Sequence, residues 1–203
     1  MASGKLQTIC YKEDIESALR TEGLGGFQLL QLHDFPGQGT ALVGVLDAFF
    51  EPKGYVTADE FSSFCDSTVP LALMEQRTFT QDEAFEADIE VAHFGPHALK
   101  NTATAWSIRD ADGAEMTSGT LPARDIPIGN GTRLGHVRVP LSDIDAPARY
   151  TLVVGLRGTE FENRWDFWVY PESVDTSVPD GVTVTERLDE AALQELQSGG
   201  RVL

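Results

Sequence analysis

The sequence predicts a mostly β protein with a central β-sandwich and an α/β segment on either side. Apolar residues alternate with acidic ones from Phe85 to Val91, which is the period of a half-buried strand. About seven strands separated by turn residues lie between Pro70 and Pro171, and this pattern is typical of an immunoglobulin-like sandwich. The regions before and after it combine helical periodicity with short apolar runs, as βα units do.

The composition argues against several classes of partner. The 203 residues include 15 Lys and Arg against 32 Asp and Glu, a formal net charge of −17. Such a chain repels phosphate backbones, so nucleic acid is not an expected partner. No apolar run approaches the ~20 residues of a membrane span, so no membrane is expected either.

Cys10 and Cys65 are too few and too far apart for a disulfide framework or a zinc site, and we expect both to be unpaired core residues.

A helix and a short strand are predicted first. Ile9, Ile15 and Leu19 recur at helical spacing through Tyr11–Arg20, and three glycines then end the helix. The apolar-rich run Phe27–His33 is predicted to be a strand. A single parallel strand needs neighbours on both sides, and no other strand of that type follows nearby. We therefore expect this region to be cut out of a larger domain.

The strand is followed by a polar loop that carries Gly and Pro, His33–Thr40, and by the apolar run Leu42–Phe50. Thr57 is a candidate N-cap for a further helix, because Glu60 three residues later completes a capping box.

The sandwich strands are bounded by turns. Thr102–Arg109 pairs with Glu115–Leu121 as a hairpin through the turn Asp110–Gly113. The other predicted strands are Leu71–Met74, Arg77–Thr80, Phe85–Val91, Leu134–Val139, Tyr150–Gly155 and Trp165–Tyr170.

The tail reads as a βαβ unit that is broken off. Val182–Thr185 is a predicted strand and Leu188–Leu196 a helix, and two glycines then precede the apolar Arg201–Leu203. Both ends of the chain therefore look severed.

Several runs resemble a known enzyme family. Gly25–Ala41, with its core Leu-His-Asp-Phe-Pro-Gly-Gln-Gly-Thr, resembles the eighth barrel strand of a β-galactosidase-like branch of glycoside hydrolase family 2, and Leu42–Phe50 resembles its extension. Asn163–Pro171 resembles the Trp-rich end of the accessory sandwich in the same proteins. Ser3–Gln7 and the opening helix resemble the stretch before that barrel strand, and the tail is similar to the entry of the following domain.

The resemblance implies an internal piece of such a hydrolase in three parts. Residues 1–66 would be the C-terminal portion of a (β/α)8 barrel, residues 67–172 the immunoglobulin-like sandwich, and residues 173–203 a linker and the first βαβ elements of a truncated α/β domain. The parent is expected to be bacterial, secreted or periplasmic, and active in carbohydrate metabolism. The sugar, the linkage, the anomeric outcome and the oligomeric state stay open.

The chemistry of the family follows from two carboxylates. The parent would hydrolyse O-glycosidic bonds of an oligosaccharide or glycoside, with one Glu as acid and another, ~5 Å away in retaining members, as nucleophile. The family places these residues on the fourth and seventh barrel strands. We therefore expect no catalytic residue in this chain, and no cofactor.

The fragment would supply one edge of the sugar pocket, because barrel sites are built from the loops that follow each strand. His33, Asp34 and Gln38 are the expected hydrogen-bonding residues, with Phe35 as an apolar platform. The family usually has a Trp near this point, which this sequence lacks. The alternative is that Asp34 caps the following turn and His33 packs against the barrel rim.

Other patterns are interpreted as structural, and no metal site is predicted. Asp88 and Glu90 share one strand face, and His93 would point to the other unless a bulge intervenes. The acidic turn at Asp110 lacks the later Glu of a calcium loop. We expect the three tryptophans to be structural rather than a sugar-stacking surface. A second function class stays open: a free-standing carbohydrate-binding or protein-interaction module built on the sandwich, without catalysis.

Overall fold

Strands that alternate apolar and polar residues form two facing sheets in the first of two units, residues 1–170. The computed structural model describes residues 1–39 and 42–203. In chain order, the elements of this unit are α1 (Ala2–Arg20), α2 (Ala58–Ser62), β1 (Thr68–Leu73), β2 (Thr78–Thr80), β3 (Ala84–His93), β4 (Leu99–Arg109), β5 (Glu115–Ile126), β6 (Gly129–Pro140), β7 (Ala148–Leu156) and β8 (Glu162–Tyr170).

The sheets have the orders β1-β3-β6 and β2-β8-β7-β4-β5. Neighbouring strands are antiparallel except for β2, which runs parallel to β8. The predicted mostly β architecture and the β-sandwich are confirmed, and each predicted sandwich strand is present within a few residues of its expected bounds.

The core lies between the sheets and is rich in aromatic side chains. Phe85 and Phe167 face each other with ring centroids 4.4 Å apart, and Trp165 is buried beside them. Burial of each such side chain contributes on the order of 2 kcal/mol. Trp168 lies on the opposite face of β8 and is partly exposed. Trp165 and Phe167 thus face the core and Trp168 faces outward, as the period of a strand requires.

A buried tyrosine joins β7 to the preceding loop. The hydroxyl of Tyr150 donates to the carbonyl oxygen of Asp145 at 2.8 Å, and burial raises the pKa of this phenol. A tyrosine that hydrogen-bonds back to the chain a few residues upstream is a feature of immunoglobulin-like sandwiches.

The predicted β4–β5 hairpin is confirmed. The Asp110 carboxylate accepts the backbone N–H groups of Asp112 and Ala114, and Gly113 has a φ of 85°, which favours glycine. Further along, Trp106 is opposite Gly119. A Cβ at Gly119 would lie 2.7 Å from the indole, so the ring requires a glycine there.

The predicted first helix is confirmed and is longer than expected, because it begins at Ala2 rather than Tyr11. Ile15 and Leu19 are buried in a second apolar cluster with Val69 of β1.

Cys10 is exposed and Cys65 is half-buried. The expectation of two core cysteines is therefore wrong for Cys10, which lies on the solvent side of α1.

Side chains from other elements cover one edge of β1. Pro70 has no N–H to offer a further strand. Its carbonyl oxygen accepts from Asn163 Nδ2 of β8 at 2.9 Å, and the carbonyl of Ala72 accepts from Arg20 of α1 at 3.2 Å. Two carbonyls of this edge are thus satisfied without a neighbouring strand.

The predicted strand Phe27–His33 is wrong. Its only ladder pairing among the described residues is a parallel bridge between His33 and Leu46. The reason is physical: a central parallel strand needs partners on both sides, and a single bridge supplies one. Leu30 is consequently 85% exposed. The end of a (β/α)8 barrel is therefore not shown in these residues.

The following helix does form as predicted. The Thr57 hydroxyl accepts the backbone N–H of Glu60 at 3.1 Å and caps α2.

The second unit, residues 171–203, contains β9 (Val182–Thr183), α3 (Glu190–Gln197) and β10 (Arg201–Val202). The two strands pair in parallel, so the predicted strand–helix–strand order is confirmed. Asp189 caps α3 by accepting the N–H of Ala192 at 2.9 Å. Across the described parts of the chain, no helix combines the length and apolar character needed to cross a membrane.

Candidate functional site

The loop that the sequence singled out is closed at its base by a buried ion pair. Asp34 is buried, and its Oδ1 accepts from the backbone N–H of Gly44 at 3.0 Å and from Nζ of Lys53 at 2.7 Å. Lys53 also donates to the carbonyl of Gly44 at 2.9 Å. The hydrogen bond from Lys53, followed by that from Gly44, lowers the pKa of Asp34. The carboxylate is therefore charged at neutral pH and holds the two ends of the loop together.

The N-terminal half of α1 contacts the same loop. The hydroxyl of Tyr55 lies 2.9 Å from both the Gly44 carbonyl and Gln7 Oε1, so its one proton serves either oxygen. The Gln7 amide and the Tyr11 hydroxyl both donate to the carbonyl of Val43. Sequence reasoning missed these residues, because their partners lie more than thirty positions away along the chain.

The other predicted site residues lie near the surface of the loop. His33 is half-buried and stacks on Phe50, with ring centroids 4.3 Å apart and an interplanar angle of 25°. Phe35 is 45% exposed and its ring covers Gly37. Gln38 is exposed, and its backbone N–H donates to the Phe35 carbonyl at 3.4 Å. Of the four predicted site residues, only Asp34 directs its polar group inward.

Thr40 and Ala41, which end the Gly25–Ala41 motif, lie outside the described residues. Phe50 was not among the predicted site residues. Its only signal in the sequence is its place at the end of the Leu42–Phe50 run.

A second polar cluster connects α1 to the sandwich. Glu16 is fully buried, and its carboxylate accepts from Lys12, from Asn163 Nδ2 at 2.8 Å, from Trp165 Nε1 at 2.9 Å and from Arg20 at 3.4 Å. Burial lowers the pKa of Lys12, and Glu16 opposes that shift. Because four donors surround the carboxylate, the cluster is suited to holding the helix and not to proton transfer with a substrate.

A groove of about 240 Å³ lies on the outer face of the five-stranded sheet. Small side chains such as Ser107 and Ser118 line it, and Arg157 donates to Thr120 Oγ1 at 2.9 Å. Trp106 also lines this groove and is partly buried against the core cluster.

The residues weighed as a metal site have other partners. The ring nitrogens of His93 lie 2.7 Å from Thr68 Oγ1 and 2.8 Å from the carbonyl oxygen of His97. A carbonyl only accepts, so Nε2 donates its N–H to the His97 oxygen. Asp88 pairs with His136 at 2.9 Å. Within residues 1–39 and 42–203, no three His, Cys, Asp or Glu side chains gather as a metal site would require.

Comparison with known proteins covers part of the chain. A family model described as "Domain of unknown function (DUF8488)" matches residues 83–171, which hold β3 to β8. No curated protein matches the chain.

Among solved structures, the chain is similar to a β-glucuronidase of Parabacteroides merdae, with 14% identity and a TM-score of 0.36, over 51% of this chain and 14% of that one. It is similar to the alkylpurine DNA glycosylase AlkC of Pseudomonas fluorescens, with 11% identity and a TM-score of 0.40, over 56% and 33% of the two chains. For α-2-macroglobulin of E. coli the identity is 18% and the TM-score 0.39, over 51% and 6%.

The chain thus spans a third or less of each of these proteins. Similarity this weak decides no function, and the β-sandwich is established by its own strand pairing.

Proposed function

We propose that this chain contributes one wall of a sugar pocket, and the scaffold behind it, to a family 2-like glycoside hydrolase. The resemblance of Gly25–Phe50 to the end of such a barrel supports the proposal. The observation that carries it is the Asp34–Lys53 ion pair, which fixes the loop and leaves Phe35 and Gln38 at the surface. The division into residues 1–66, 67–172 and 173–203 belongs to the same proposal.

The loop suits binding better than catalysis. Gln38 and the edge of His33 offer hydrogen bonds to sugar hydroxyls, and Phe35 offers an apolar face, the usual combination in small-molecule sites. Asp34 is held by Lys53, and Glu16 is held by four donors. Neither carboxylate is placed as a general acid or nucleophile, and under this proposal these roles belong to residues outside this chain.

A chromogenic β-galactoside tests the catalytic half of the proposal. The 203 residues are expected to show no hydrolysis above the buffer rate, because the acid and the nucleophile are absent. Robust hydrolysis by the purified chain would overturn this assignment.

Saturation-transfer NMR with methyl β-galactopyranoside and other methyl β-glycosides tests the binding half. Gln38→Ala should weaken binding about fivefold, the worth of one hydrogen bond of about 1 kcal/mol. Gln28→Ala is the matched control, because Gln28 is also an exposed glutamine and lies outside the loop. If no glycoside binds the wild-type chain, the sugar-pocket proposal fails.

A second candidate is the free-standing binding or interaction module. One observation favours it: α1 is buried against β1 through Ile15 and Leu19 and is joined to β8 through Glu16. Limited proteolysis distinguishes the two. The module requires α1 to stay protected with the sandwich, and early loss of the first 60-odd residues would count against it.

A further inference from the structure

The turn from Asp47 to Glu51 presents a bulky aromatic residue in an unusual backbone conformation. Phe50 has a φ of 65°, a left-handed value that is uncommon for non-glycine residues and an outlier for bulky ones. The Asp47 carboxylate maintains the turn by accepting the N–H groups of Phe49 at 2.8 Å and Glu51 at 3.0 Å. The N–H of Phe50 donates to the Asp47 carbonyl at 3.1 Å. The chain therefore keeps phenylalanine at a position that glycine would occupy more easily.

Burial does not explain this choice. The Phe50 side chain is 62% exposed, so it contributes little to the apolar core. One face of its ring lies against His33, at the centroid distance of 4.3 Å given above, and the rest of the ring is open to solvent. Strained positions that packing does not require tend to be functional.

The ring belongs to the same small cluster as the anchored loop. The bridges His33–Leu46 and Leu46–Pro52 place the Asp47 turn beside His33, and the N–H of Asp34 donates to the Leu46 carbonyl at 3.0 Å. Lys53, which fixes Asp34, follows Phe50 by three positions. The open aromatic face of Phe50 matches the C–H face of a sugar ring.

We infer that Phe50 is the stacking platform for a sugar ring at this site, with His33 packed behind it. The inference rests on the proposed function and adds a residue that the sequence did not point to. The sequence alone suggested only Phe35 as an aromatic platform for this site, and Phe50 is a second one.

Phe50→Gly is the decisive variant, because glycine adopts the same φ without steric cost and the turn should persist. Affinity for methyl β-galactopyranoside, or for whichever methyl β-glycoside of the set the wild-type chain binds, is measured by titration in saturation-transfer NMR. We expect Phe50→Gly to weaken binding about fivefold or more, the loss of one aromatic contact, with an unchanged thermal midpoint. Phe50→Tyr should restore affinity, and saturation should concentrate on the C–H protons of one sugar face.

Phe49→Ala is the matched control, since Phe49 is 84% exposed in the same turn and has no stacking partner among the described rings. Its affinity should equal that of the wild type. Equal affinity of Phe50→Gly and wild type would overturn the platform and leave the proposed function standing. Failure of the wild-type chain to bind any glycoside of the set would overturn the proposed function, and the platform with it.

Discussion

Glu16 of α1 accepts a hydrogen bond from the indole Nε1 of Trp165 in β8, at 2.9 Å, and both side chains are buried. Lys12 lies 4.8 Å from the centroid of the same indole ring and donates to Asn163 Oδ1 at 2.6 Å. An ion pair and two side chains of the sandwich thus form one network. Buried charges of this kind add little net stability when all are present, yet removal of one partner is costly.

Glu16→Gln should therefore destabilise the protein by about 3–5 kcal/mol, because it leaves Lys12 buried without its counter-charge. Urea unfolding at neutral pH measures the change. Glu13→Gln is the control: Glu13 pairs with Arg77 at a partly exposed site, and such a pair is worth about 1 kcal/mol or less. Equal midpoints for Glu16→Gln and Glu13→Gln would contradict the role assigned to the network.

The Asp34–Lys53 pair predicts an acid-sensitive loop. The pKa of Asp34 is lower in the folded state than its ordinary value of 3.8, so its stabilising effect is fully present above about pH 4 and is lost as the pH falls through the lower folded pKa. The stability difference between wild type and Asp34→Asn should be constant from pH 5 to 7 and should shrink below about pH 4. Chemical denaturation across this range gives the result, and a difference that grows on acidification would refute the sign.

Gly119→Ala tests the close approach of Trp106. The added methyl would lie 2.7 Å from the indole, and overpacking of this kind costs about 1–3 kcal/mol. Gly25→Ala serves for comparison, since nothing lies within 4 Å of its Cβ position. Thermal unfolding should show a clear loss for the first variant and almost none for the second.

The net charge of −17 predicts that salt stabilises the protein. Like charges repel in the compact state, and at 1 M salt the screening length falls to about 3 Å. The thermal midpoint should rise between 0.05 M and 1 M NaCl, and a parallel series in KCl separates screening from a sodium-specific effect. A flat or falling midpoint would show that self-repulsion is not a significant cost.

The sandwich could be predicted from the sequence because its signals are local: alternation within each strand and turn residues between strands. The start of α1 could not, because the one buried residue before Tyr11 is the polar Thr8, which gives no apolar period. The strand predicted at Phe27–His33 was wrong for the opposite reason. Its composition favours a strand, but a strand forms only where neighbouring strands supply hydrogen-bonding partners.

The candidate site was predicted in part. Asp34 stood out beside the Gly- and Pro-bearing loop, whereas Lys53 lies 19 positions away and only the fold brings it to the carboxylate. Phe50 joins His33 in the same way, through a turn whose backbone conformation has no distinctive sequence signal.

The covered edge of β1 has a consequence for assembly. Exposed strand edges are where sheets of different molecules join and aggregate. With the carbonyls of Pro70 and Ala72 occupied by Asn163 and Arg20, and with no N–H at Pro70, β1 offers fewer free groups to an incoming strand. Loss of the helix α1 would therefore free the Ala72 carbonyl at this edge and uncover the apolar surface that Ile15 and Leu19 cover.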